Sequence, residues 1–163
     1  QCDWSSDVCS SDLVHILSSV VLVGTGFGTA FYFFFANRTR SVPVIAAVSR
    51  LVVRADWWFT TPAVLIQPLT GFWLAHLAGW PWHTPWMLAA IVLYVLAGLC
   101  WLPVVWLQVR LARTAAQALA ADAPLPADYW RDARRWELLG YPAFAAMVVV
   151  YFLMVLKPAL AFG

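Results

Sequence analysis

Four apolar stretches of about 20 residues, separated by gaps of very different arginine content, constrain this chain more than any motif in it. They are Val14–Ala36, Trp57–Ala78, Trp86–Leu107 and Leu138–Leu156. A hydrocarbon layer about 30 Å thick takes roughly 20 apolar helical residues to cross, so each stretch is long enough to span it. Nine of the ten basic residues fall in two gaps: Arg38, Arg40, Arg50 and Arg54 in the first, and Arg110, Arg113, Arg131, Arg134 and Arg135 in the third. The second gap, Gly79–Pro85, holds none. Basic residues kept to alternate loops are the positive-inside pattern of a multi-pass chain. The pattern predicts an all-α, antiparallel four-helix bundle in a membrane, with the Arg-rich loops cytoplasmic and both termini outside.

Composition supports this reading. Hydrophobic residues make up 63% and charged residues 11% of the chain, against roughly 25% charged in a soluble domain. A net charge of +2 is too small to suggest a nucleic-acid partner. The expected partners are the lipid bilayer and anionic headgroups beside the arginines, and a homo-oligomer stays open. Near the start, Ser5-Ser6-Asp7-Val8 almost recurs as Ser10-Ser11-Asp12-Leu13. This polar repeat reads as a non-native adaptor over residues 1–12, ahead of a transmembrane domain at 13–160. Setting it aside removes Cys2 and Cys9 and leaves Cys100 as a small buried hydrophobe, with no disulfide or thiolate metal framework.

Between the spans, Pro43 suits a first helical turn. Arg50 and Arg54 share one helical face while Ile45, Val48 and Val52 take another, which predicts a short interfacial amphipathic helix between spans one and two. Span two should bend at Pro62 or Pro68 and end in a tight outer turn, with Trp80 and Trp82 at headgroup level. Span three should run past Gln108 into an Ala-rich extension that breaks at Ala121–Pro126. Ala127–Glu137 then leads back to the membrane, and Lys157 can snorkel to the outer interface.

Gly24-Thr25-Gly26-Phe27-Gly28 lacks the preceding strand and the third glycine spacing of a nucleotide loop. Gly24 and Gly28 instead form a small-xxx-small pair suited to close helix packing in lipid. His15 lies 21 residues above Ala36 and His76 lies 20 beyond Asp56, so both sit about 30 Å above the inner interface. Imidazoles on neighbouring helices can ligate haem or metal; the blander role is a hydrogen bond at the outer interface. His83 should be solvated. Thr60, Thr61, Gln67, Thr70 and Tyr94 read as interhelical hydrogen-bonding groups, with a small polar cavity lined by Gln67 and Tyr94 as the sharper alternative. Asp56 should pair with a cytoplasmic arginine. No HExxH, P-loop or Ser/Cys–His arrangement is present, which leaves enzymatic activity undecided and catalytic residues unassigned.

Several segments together resemble a bacterial integral-membrane family designated domain of unknown function 2269. They are His15-Ile16-Leu17-Ser18-Ser19, Asp56 through Pro62, Gln67-Pro68-Leu69-Thr70-Gly71, Trp101-Leu102-Pro103-Val104, Leu139 through Phe144, and Leu153 through Pro158. Thr61-Pro62-Ala63, Gly71-Phe72-Trp73 and Lys157-Pro158 are also similar to the superfamily of CopD-type copper-resistance proteins and HemJ-type protoporphyrinogen oxidases. That likeness implies haem b on a first-helix histidine, which is His15 here. The HemJ pattern also has a lysine early in helix three, whereas Trp86–Val92 has none and Ala89 or Ala90 takes its place. This departure counts against the oxidase activity. Three readings follow: a membrane protein holding haem b through His15 with or without His76, a structural or assembly protein with no cofactor, and a HemJ-like oxidoreductase.

Overall fold

The computed structural model describes residues 7–81 and 83–156, with the side chains of 7–9 excepted. Expectations for Cys2, Trp82, Lys157 and Pro158, and for the side chain of Cys9, fall outside these residues. Among the described residues the chain is all-helical: α1 (Asp7–Thr39), α2 (Val42–Ala55), a π-helical segment (Asp56–Thr60), α3 (Thr61–Leu77), α4 (Pro85–Ala120) and α5 (Ala127–Leu156). Among the described residues, three helices are long and apolar enough to cross a membrane, over Ser10–Thr39, Pro85–Ala120 and Ala127–Leu156. The second expected span is different. It is divided between the π-helical segment and α3, which has only 17 residues. Helix α1 also begins inside the polar repeat, at Asp7.

Pro62 explains the division. It has no N–H to offer the carbonyl one turn back, and its ring crowds that carbonyl. Widening the turn by one residue relieves both problems: the Thr61 N–H bonds Asp56 O, and the Thr61 hydroxyl donates to the same carbonyl at 2.9 Å. The π-helical segment turns Trp57, Trp58 and Phe59 outward and leaves Asp56 and Thr60 buried. Pro68 and Pro103 lie within α3 and α4 without ending them.

The best-packed core lies at the Arg-rich end, not at mid-span. Phe33 of α1, Ile45, Ala46 and Val52 of α2, Leu107, Leu111 and Ala115 of α4, and Tyr129, Ala133 and Trp136 of α5 form one buried cluster. Helix α2 was expected to rest its apolar face on lipid. Its buried residues, Ile45, Ala46, Ser49 and Val52, pack against α1 and α4 instead, because the Ala-rich extension of α4 offers a protein surface to cover. Buried Asp132 on α5 binds Arg110 of α4 at 3.1 Å and lies 3.6 Å from Arg135. Tyr129 donates to Asn37 Oδ1 at 2.7 Å and so ties α5 to the inner end of α1.

Gly24 and Gly28 do not act as expected within the chain. A Cβ added at either would meet nothing within 4 Å, so no neighbouring helix is seated on them, and Gly24 lies exposed on the outer surface of α1. The close approach occurs elsewhere. A Cβ at Gly71 would lie 3.1 Å from His15 Cε1, so the missing side chain at 71 is what lets α1 and α3 meet at the histidine.

Candidate functional site

Two polar constellations stand out among the apolar walls. The first joins α1 to α3. His15 Nδ1 lies 2.9 Å from Thr70 Oγ1, and His15 Nε2 lies 3.1 Å from Gln67 Nε2. Thr70 spends its own proton on Ile66 O at 2.9 Å, so its oxygen accepts from Nδ1–H. An amide nitrogen can only donate, so Nε2 is the acceptor from Gln67. Ser18 donates to Gln67 Oε1. With the Gln67 amide in this orientation His15 is the Nδ1–H tautomer, and Ser18 also reaches the carbonyl of His15 at 2.9 Å.

A haem ligated by His15 would need a free Nε2 lone pair and a slot beside it for the macrocycle. Gln67 occupies that lone pair, and the cavity between α1, α4 and α5 is lined by neither His15 nor His76. As arranged, these residues do not fit a haem. His76 is exposed, with its ring 6.3 Å from that of Trp73, and His15 makes its ring contacts with Thr70 and Gln67. The expected histidine pair is therefore not brought together. His83 is exposed in the turn.

The second constellation closes one end of a cavity of about 470 Å³, within the range that holds small molecules. Its walls come from α1, α4 and α5 and are mostly aromatic and aliphatic, with Phe27, Phe34, Trp101, Phe144 and Met147 among them. Phe27 of α1 stacks on Phe144 of α5, ring centroids 5.2 Å apart. Exposed Phe31, Phe35 and Tyr141 also line the cavity and give it an open side.

Its polar lining is Thr29, Asp56, Thr60, Tyr94, Gln108 and Glu137, together with the indole of Trp136. Asp56 is only 5% exposed. It takes a 2.9 Å hydrogen bond from Thr60, and the Gln108 amide and Thr29 hydroxyl lie beside it, the latter donating to Thr25 O at 2.9 Å. Burial pushes its carboxyl above the ordinary carboxylate range, with those hydrogen bonds pulling the other way. No arginine pairs with it among the described residues, which corrects the expected ion pair: the π-helical segment turns Asp56 inward, away from the arginines. Tyr94 spends its hydroxyl on Val64 O at 2.8 Å and lines this cavity, whereas Gln67 belongs to the histidine network. The expected Gln67–Tyr94 cavity is thus two separate sites.

Sequence reasoning passed over Gln108 and Trp136. Both are 5% exposed and both line the cavity. Each leaves one buried polar atom without a hydrogen-bond partner, Gln108 Oε1 and Trp136 Nε1. The available signal was position: Gln108 directly follows one apolar stretch and Trp136 lies just before another, where a span meets its polar flank.

No curated protein and no solved structure matches the chain, and the distant likeness to CopD- and HemJ-type proteins gains nothing from these comparisons. A family model does match, over residues 12–158, described as "Predicted integral membrane protein (DUF2269)", and the chain belongs to that family.

Proposed function

We propose that the chain crosses a bacterial inner membrane four times as an antiparallel helical bundle and binds a membrane-dissolved small molecule in the cavity between α1, α4 and α5. The observation that carries this reading is the cavity itself: a volume of about 470 Å³ with greasy walls, an open side and a polar cluster around Asp56. The fourth crossing is residues 57–78, whose 22 residues at 1.5 Å each span about 33 Å. Arginine placement supports cytoplasmic Arg-rich loops with both termini outside. Arg50, Arg54 and Arg113 line a groove of about 530 Å³ between α2 and α4 and have no ion-pair partner among the described residues, which favours contact with anionic headgroups. The His15–Gln67–Thr70 network serves as a clamp between α1 and α3 rather than as a cofactor ligand.

The test is organic extraction and mass spectrometry of protein purified in mild detergent. A non-phospholipid hydrophobic molecule should accompany the wild type near one per chain. It should be absent from Gly98→Phe, which fills the cavity at a position where an added Cβ meets nothing within 4 Å. Equal recovery from both proteins would sink the reading.

A further inference from the structure

We infer that the cavity selects a neutral lipophilic alcohol or phenol, whose hydroxyl donates to Gln108 Oε1 and accepts from Trp136 Nε1–H. This inference rests on the proposal that the cavity is a ligand site, and it assigns the chemistry of the ligand's head.

The argument starts from the two orphaned atoms. A carbonyl oxygen can only accept and an indole N–H can only donate. Both sit on side chains about nineteen-twentieths buried at the same cavity, where an unmade hydrogen bond carries its full desolvation cost. The orientation of the Gln108 amide is set by Asp56, since a carboxylate oxygen accepts and so draws the N–H₂ group, leaving Oε1 over.

The head that completes this end must therefore bring one donor and one acceptor. A hydroxyl does so with one proton and two lone pairs. An ammonium brings donors only and leaves the indole N–H unpaired. A ketone, an ether or a carboxylate brings acceptors only and leaves Gln108 unpaired. A phosphate or carboxylate head would also face Asp56 and Glu137 with no arginine or lysine in the lining to offset them, and this excludes an ordinary phospholipid head.

Depth agrees with the chemistry. Asp56 immediately precedes one apolar stretch, Gln108 immediately follows another, and Trp136 and Glu137 lead into a third. The polar end thus sits at the inner boundary of the apolar layer while the aromatic walls lie within it. An amphiphile bound there keeps its hydroxyl at interfacial depth and its body among hydrocarbon-like side chains.

The experiment uses the full chain in nanodiscs and three matched probes: dodecanol, dodecyl methyl ether and dodecane, each scored as retention above empty nanodiscs of the same lipid. Dodecanol should be retained roughly tenfold more tightly than the ether, the ratio expected for a buried hydrogen-bonding pair. Trp136→Phe and Gln108→Leu, each checked for an unchanged melting profile, should both bring dodecanol down to the level of the ether and leave dodecane unaffected. Equal retention of all three probes, or an alcohol preference that survives both substitutions, overturns the hydroxyl assignment and means that water alone fills the polar end. Retention of none above empty discs overturns instead the reading of the cavity as a ligand site.

Discussion

The Arg-rich end and the apolar half of this molecule solve the same packing problem by different physics. On the proposed topology, α2, the extension of α4 and the start of α5 face water at the Arg-rich end, so burial of Ile45, Leu111, Ala115 and Tyr129 is driven by the hydrophobic effect. That end closes tightly around a buried carboxylate, Asp132, answered by Arg110. In the apolar half lipid is as greasy as leucine, and helices gain little by expelling it. Phe27, Phe31, Leu65, Leu99 and Phe152 remain exposed there, α1 is tied to α3 and α5 by hydrogen bonds such as Tyr151 to Ser19 O at 2.9 Å, and a cavity persists. Cohesion thus comes from the water-facing end, and the freedom to hold a ligand comes from the lipid-facing one.

The sharpest test of this contrast is a matched pair of truncations. Tyr129→Ala, at 1% exposed, should cost about 3–5 kcal/mol of stability against dodecyl sulfate unfolding. Phe152→Ala, at 62% exposed, should cost under about 0.5 kcal/mol. Similar costs would erase the distinction between the two regions.

A second test uses pH. Because burial raises the Asp56 carboxyl above its ordinary value of 3.8, the folded state holds that proton more tightly than the unfolded state does. Stability is therefore fullest below the ordinary value and is lost as pH rises through the raised one. Thermal unfolding in neutral detergent should show this decline from about pH 4 upward, and Asp56→Asn should flatten it. An unchanged slope in Asp56→Asn would place the titration elsewhere.

Smaller effects are expected in the apolar half. His15→Ala removes the bonds to Gln67 and Thr70 and should cost about 1 kcal/mol, since interhelical hydrogen bonds in lipid are weak. Haem added to the wild type should give no Soret band that His15→Ala abolishes; such a band would restore the haem reading. Smallest of all, Gly24→Ala has open space around it and gains helix propensity, so stability should hold or rise by up to about 1 kcal/mol. Loss of a dimer in that variant, followed by crosslinking, would show that Gly24 packs against a second copy.

The sites were legible to different degrees for physical reasons. His15 and Gln67 announced themselves as polar groups within apolar runs, where an unpaired group is costly, and the structure pairs them with each other. His76 had the same signal, but depth along a helix says nothing about facing, and the Pro62 and Pro68 region makes facing unreadable. The Asp56 arginine pair was a reasonable expectation from adjacency to Arg54. It failed because one extra residue per turn, forced by Pro62, rotates the carboxyl inward.

Sequence alone determined that the chain belongs in a membrane, because run length and arginine placement are one-dimensional properties that the solvent reads directly. It also determined which polar groups would need partners. Tertiary structure decided who those partners are. A helix's azimuth accumulates over every residue, so a single widened turn reassigns a face. That is why Asp56 turns to Thr60 rather than to an arginine, and why Gln67 closes on His15.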